Sequence, residues 1–235
     1  GCNYDEVLVG NGSVEILDHF CRYSQRIVVC IPSFSEYTER PRIHHTSMLK
    51  IQLTNDFRVS AKLLEERLEA GDLIILGNPN NPTGQRIEKE ELSRIQTLAE
   101  EKGAFLLLDE AFFEFCPKDY DSIRLFYEKE NVCVIRAATK FFGLPGIRLG
   151  YAYARPNVAK TYNELSLPWR INAIADLAGR VIFKDSEYIR TSKEYIAQQR
   201  QFMLSELKKI DGMKFYHTVT NFMLLKLLCC DEEEL

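Results

Sequence analysis

NVCVIRAATKFFGLPGIRLGY, residues 131–151, opens with an apolar, β-branched run, Val132, Val134 and Ile135, of the kind a buried strand requires. It then breaks into small residues, a lysine, a Gly-Leu-Pro-Gly turn and an arginine. The lysine is Lys140. A lysine just past a buried strand can be desolvated enough to lose its proton and become a nucleophile, which is how Schiff-base lysines are prepared.

The same grammar of apolar run followed by a polar turn recurs on either side. Upstream, Phe105-Leu106-Leu107-Leu108 is apolar on both faces, as a central parallel strand must be, and it ends in Asp109-Glu110. Carboxylates at the carboxyl end of a buried strand are costly unless paired, and in open α/β sheets that edge is where ligands sit. Leu73–Leu76 runs into the rigid turn NPNNPTG at 78–84, and Arg26–Ile31 into Pro32 and the aromatic-bearing loop Ser33–Tyr37. Val7-Leu8-Val9 runs into Gly10-Asn11-Gly12-Ser13 and a helix over 14–23, with Ser13 expected as N-cap. Strand, glycine turn and helix make either a seat for a phosphate at the positive end of the helix dipole or simply a tight turn.

Between these strands the spacing predicts a helix from Ser60 through Leu68, with Leu63, Leu64 and Leu68 on one face. A second is predicted over 88–102, with Leu92, Ile95, Leu98 and Ala99 inward. Ile51–Leu53 and Leu149–Ala154 read as further strands. Beyond Pro156 the pattern turns helical, over 158–165, 172–183 and 186–210, before an apolar strand at 222–228. The alternation up to about residue 155 predicts an α/β fold, a three-layer αβα sandwich on a mostly parallel sheet. The last third predicts a connection and part of a small α+β domain.

Composition narrows the function classes. The 235 residues are 46% hydrophobic, enough for a sizeable core. Thirty basic and 34 acidic residues are dispersed along the chain for a net charge of −4, so no basic stripe points to nucleic acid or a membrane surface. No apolar run approaches the roughly 20 residues that span a bilayer, and GCNYDEVLVG does not read as a signal peptide. Seven cysteines without framework spacing fit free thiols in a reducing cytoplasm. The pairs Cys229-Cys230 and His44-His45 complete no metal site, the histidines being expected on opposite sides of an extended segment. The acidic run 231–234 reads as solvated.

Six motifs in order then resemble the fold-type I, class I/II pyridoxal-phosphate-dependent aminotransferases, in the branch of histidinol-phosphate aminotransferase and threonine-phosphate decarboxylase. They are GNGS at 10–13, PSFSEY at 32–37, NPNNPTG at 78–84, DEAFFEF at 109–115, TKFFGLPGIRLGY at 139–151 and PWRINA at 168–173. The resemblance implies pyridoxal 5'-phosphate as cofactor, a Schiff base on Lys140, and Lys140 as the base and acid that moves the α-proton. It implies that Asp109 pairs with the pyridine nitrogen, that Asn81 donates to the ring's phenolic oxygen, and that Phe34 stacks on the ring. Gly12, Ser13, Val14, Thr139 and Arg148 would hold the phosphate, arginine matching it bidentately. The implied large domain spans 1–155, its end and connection 156–185, and a linking helix with the start of a small domain 186–235. Implied too are a small amino donor, a 2-oxo acid such as 2-oxoglutarate, and a homodimer with shared active sites.

Two positions depart from the family's pattern. Ala137 stands where a hydroxyl often touches the phosphate, and Phe112 where a tyrosine often reaches the phenolic oxygen. Both leave the nucleophile and the electron sink in place and leave the reaction type open between transamination and decarboxylation, PWRINA and Phe112 resembling the decarboxylase branch somewhat more. Against that family's pattern the sequence is expected to be short at both ends, without the N-terminal region whose tyrosine, as the resemblance implies, enters the partner's site and without the later segment whose arginine takes the substrate carboxylate. A fragment, a truncated form or an incomplete gene product is expected, with a non-catalytic binding protein as a further alternative.

Overall fold

A computed structural model describes residues 2–228. The expectations for Cys229, Cys230 and the acidic run 231–234 lie outside the described residues. The main sheet consists of β1 (Val7–Asn11), β2 (Arg26–Ile31), β3 (Ser47–Gln52), β4 (Asp72–Gly77), β5 (Phe105–Asp109), β6 (Val132–Ala137) and β7 (Leu149–Ala154) in the order β1-β7-β6-β5-β4-β2-β3. Strands β3, β2, β4, β5 and β6 run parallel, while β7 is antiparallel to both β6 and β1. The mostly parallel sheet stands as expected, and β1 therefore points the same way as β6.

Helices cover both faces because the central strands are apolar on both. On one face, Leu106, Leu108, Val132 and Val134 pack under α3 (Ala61–Glu65) and α4 (Lys89–Glu101), with Leu64, Leu92, Ile95 and Ala99 buried against them. On the other, Leu107, Cys133 and Ile135 meet α1 (Ser13–Tyr23), Tyr37 at the start of α2 (Glu36–Ile43), and α6 (Pro156–Leu165). A short α5 (Ser122–Leu125) precedes β6. A third core gathers Phe115, Ala138, Phe141, Phe142 and Leu149 with residues of α7 (Ala173–Ile182) and α8 (Ser186–Leu207). Beyond α8, β8 (Met213–Phe215) and β9 (Leu225–Leu227) form a separate antiparallel pair.

Several local expectations are corrected. The N-cap of α1 is Gly12, at φ +86°, and Ser13 is the first helical residue. The loop after β2 becomes a helix by Glu36 despite Pro41, and His44 caps its end with His45 in a left-handed turn, so the two histidines are not on an extended segment. Helix α3 ends at Glu65 rather than Leu68, α8 at Leu207 rather than Ile210, and the terminal strand keeps three residues of the seven expected. Among the described residues, no helix is long and apolar enough to cross a membrane, and no group of three or more His, Cys, Asp or Glu could hold a metal ion.

Candidate active site

Parallel strands bring their carboxyl ends to one edge, and the turns leaving β1, β2, β4, β5 and β6 meet there around a cavity. It is lined by Ser13 and Val14 from the first turn of α1, Phe34 after β2, Asn81 after β4, Asp109 at the end of β5, and Thr139 and Lys140 after β6. Arg148, after the Gly-Leu-Pro-Gly turn, closes the ring of residues. Eight of the nine residues singled out from the sequence thus converge. The ninth, Gly12, lies beneath the Arg148 guanidinium, where an added Cβ would collide with it.

The seat at the start of α1 exists because two glycines allow it. Gly12 takes a positive φ that residues with a side chain rarely adopt, and the first N–H groups of the helix that follows have no partner within it. Gly150, on β7, lies so close to the Gly12–Ser13 backbone that a Cβ would overlap it. The Arg148 guanidinium donates to the carbonyl oxygens of Pro145 at 3.1 Å and Asn11 at 3.5 Å, which aims it across the helix N-terminus. A guanidinium and a helix N-terminus together make an anion seat.

Three asparagines share the 78–84 turn, and the fold divides their work. Asn78 is fully buried, accepts from the Ile87 amide at 2.9 Å and donates to Glu110 Oε1 at 3.3 Å and to the Tyr120 hydroxyl at 3.0 Å. Asn80 donates to the Pro32 carbonyl and to Thr83 Oγ1 at 3.0 and 3.1 Å. Only Asn81 of the three lines the cavity.

Asp109 is buried, and burial pushes its carboxyl above the usual carboxylate range. Three contacts oppose that shift and favour the ionised form: the Ala111 amide on Oδ1 at 3.0 Å, the Tyr37 hydroxyl on Oδ2 at 2.9 Å, and the charge of Lys140. Tyr37, the last residue of PSFSEY, is a site residue to which the sequence assigned no role. It lies three residues after Phe34 and packs edge-on against it at 5.7 Å, so the i, i+3 spacing of two aromatics entering a helix was the available signal. Lys140 itself is exposed on the open side of the cavity. That corrects the expectation of a desolvated lysine: the apolar strand ends before it, at Ala137, and the next buried residues, Phe141 and Phe142, turn away into the third core. Its Nζ lies 5.8 Å from the Phe112 ring centre, and Phe112 packs edge-on against Phe222 at 5.0 Å.

Behind the cavity, on the opposite face of the sheet, Arg136 donates to Glu110 Oε2 from Nε at 3.0 Å and Nη2 at 2.8 Å, and to Asp121 at 2.7 Å. Ser122 donates to the other Glu110 oxygen at 2.5 Å. Together with Asn78, this network ties the ends of β4, β5 and β6 into one floor. A roomier cavity lies on that face between the 57–60 loop and the start of α4, and none of the nine residues lines it.

A three-layer α/β protein with a ligand-sized cavity at the carboxyl edge of its parallel strands is the class these features define. The chain belongs to the aminotransferase class I and II family, whose model matches residues 2–235. It is 39% identical over 233 residues to a protein of Caldanaerobacter subterraneus that carries the provisional name threonine-phosphate decarboxylase, a match covering 97% of this chain and 64% of the relative. It is 32% identical to the histidinol-phosphate aminotransferase of Clostridium novyi, covering 96% of this chain and 64% of that protein. The crystal structure of the histidinol-phosphate aminotransferase from Clostridium acetobutylicum superposes with a TM-score of 0.93 at 31% identity, covering 97% of this chain and 69% of that one. The chain thus spans about 64% of the length of the curated relatives it matches.

Proposed function

We propose that this chain is the cofactor-binding part of a pyridoxal-phosphate-dependent transaminase of the histidinol-phosphate aminotransferase type. It would move an amino group between a phosphorylated amino compound and 2-oxoglutarate. The observation that carries this reading is the convergence of Lys140, Asp109, Asn81 and the Arg148-covered helix N-terminus on one cavity. Residues 1–155 would hold the cofactor, 156–185 connect, and 186–235 begin a smaller domain.

The donor set fits the cofactor group by group. The amides of Ser13 and Val14, with Arg148 and Thr139, suit its phosphate. Phe34 offers an aromatic face, Asn81 an amide for the phenolic oxygen, and Asp109 an anion for the ring nitrogen. When bound, pyridoxal phosphate supplies an aldehyde that captures amines and a protonated ring that takes up an electron pair. Asp109, held by Tyr37 and Ala111, would be the anion that keeps that nitrogen protonated. Lys140 would be the residue to offer an amine to that aldehyde and, with its amine free, would be the group to move the proton at the substrate's α-carbon. The proposed homodimer would complete the site, as the resemblance implies, and a cytoplasmic location would keep the cysteines reduced.

A second reading is decarboxylation of threonine phosphate on the same scaffold. It is favoured by the 39% identity to the Caldanaerobacter protein and by Phe112 in place of a tyrosine. Supplying the full-length protein with pyridoxal phosphate and histidinol phosphate plus 2-oxoglutarate, and separately with threonine phosphate, separates the two. Glutamate formation supports transamination, and carbon dioxide release supports decarboxylation. A protein that neither turns yellow with pyridoxal phosphate nor retains it after borohydride reduction defeats both.

A further inference from the structure

Lys140 stands on a turn with little hydrogen bonding of its own. Within residues 139–143 the backbone contact is a long one, from the Gly143 amide to the Lys140 carbonyl at 3.3 Å. One side chain among the described residues reaches this turn's backbone: the Tyr188 hydroxyl, on α8, donates to the Phe141 carbonyl at 3.0 Å. Tyr188 is 39% exposed, so the contact lies at the surface of the third core.

Tyr188 is itself well placed to hold that carbonyl. Its own amide is fixed by the Asp185 carboxylate, the N-cap of α8, at 2.9 Å. Its ring stacks on Phe142 at 6.0 Å and 19°, and meets Phe141 edge-on at 6.0 Å and 85°. Phe141 and Phe142 are buried in the third core, with Phe115 and Phe183 beside them. The two residues that follow Lys140 are thus clamped by one tyrosine, on both rings and on one carbonyl.

We propose that Tyr188 is a positioning residue for Lys140: by holding the Phe141 carbonyl it sets the direction in which the lysine leaves the turn. The proposal rests on the reading that Lys140 joins the cofactor aldehyde. In that step the lysine nitrogen condenses with the aldehyde carbon, C=N replaces C=O, and one water leaves. A nitrogen displaced by even part of an ångström reacts more slowly, whereas binding of the phosphate and ring, which depends on other residues, is unaffected. Packing of Tyr188 belongs to its ring and positioning to its hydroxyl, so substitution separates them.

The test uses the full-length protein stripped of cofactor, as wild type, Tyr188→Phe, Tyr188→Leu and Lys140→Ala. The covalent link is followed by absorbance after adding pyridoxal phosphate, trapped with borohydride and located by peptide mass. Affinity for pyridoxamine phosphate, which lacks the aldehyde, is measured alongside. Tyr188→Phe is expected to slow linking about 3- to 10-fold with only a small drop in melting temperature and with pyridoxamine phosphate affinity unchanged. Tyr188→Leu is expected to slow linking as much and to lower the melting temperature too. Equal linking rates in wild type and Tyr188→Phe overturn the proposal, as does a loss that falls equally on pyridoxamine phosphate. A wild type that links normally while Tyr188→Phe does the same defeats only the role of Tyr188. A wild type with no trappable link at Lys140 defeats the reading of the site and the proposal with it.

Discussion

The Tyr37 hydroxyl and the Asp109 carboxylate, 72 positions apart in the chain, are joined by a buried hydrogen bond of 2.9 Å. The bond stabilises the ionised carboxylate against the burial that favours its protonation. Burial and Asp109 likewise push the Tyr37 phenol well above its usual range, so it stays a donor. Tyr37→Phe keeps the ring and removes the bond. Asp109 should then hold its proton to higher pH, and the pH below which pyridoxal phosphate affinity falls should move upward. Titrating cofactor affinity against pH in both proteins checks this, and superimposable curves would contradict it.

Gly150 on β7 should tolerate no side chain, because the atoms a Cβ would meet are backbone atoms of Gly12 and Ser13. Gly150→Ala must therefore push the start of α1 away from the sheet, at a cost of about 1–3 kcal/mol. Phosphate affinity should fall with it. Gly146→Ala is the control, since nothing lies within 4 Å of the added atom. Thermal melts and inorganic phosphate titrations of the two variants should diverge; equal behaviour would refute the packing argument.

Glu110 is fully buried against Arg136, itself 8% exposed. Glu110→Ala removes one partner and leaves a buried guanidinium over the Phe113 ring with Asp121 as its remaining ion-pair partner among the described residues, which should destabilise the fold by about 3–5 kcal/mol. Urea unfolding measures this. A loss near that of an exposed ion pair, under about 1 kcal/mol, would show that the network does not act as the floor of the site.

Glu114 sits behind the cavity with Oε1 taking a bond from the Tyr151 hydroxyl at 3.2 Å and Oε2 buried without a partner among the described residues. Burial pushes its carboxyl up to about 7. The folded protein therefore keeps a proton that the unfolded chain releases near the ordinary value of 4.5. From this group, stability falls as pH rises from about 4.5 to about 7 and is level above. Glu114→Gln removes the dependence, so the variant should gain on wild type by on the order of 2–3 kcal/mol between pH 4.5 and 8. Denaturation at the two pH values decides it, and a pH-independent difference would count against a buried, proton-holding Glu114.

How much of this could be read without coordinates differs from element to element. The central strands and α4 were legible because their signals are local: Leu106 to Leu108 are apolar on both faces, and Leu92, Ile95 and Ala99 recur at helical spacing. The site motifs were legible because strand-to-turn transitions in a parallel sheet deliver polar residues to a common edge. The antiparallel placement of β7, and with it the pairing of Gly150 beside the helix that carries Ser13, was not, since strand order leaves no mark on a single strand's pattern.

By itself, then, the sequence determined the central strands and the longer helices, though not α2 or α5, the order of the motifs, and the residues Lys140, Asp109, Asn81 and Arg148 as candidates for one site. The tertiary structure decided which of three asparagines faces the cavity, that Tyr37, a residue of PSFSEY to which the sequence assigned no role, supports Asp109, and that Lys140 lies exposed on a turn held by Tyr188. The division has a physical cause. Periodicity and turn chemistry act over a few neighbouring residues, whereas hydrogen bonds such as Tyr37 to the Asp109 carboxylate and Tyr188 to the Phe141 carbonyl join residues 72 and 47 positions apart, and only packing brings them within reach.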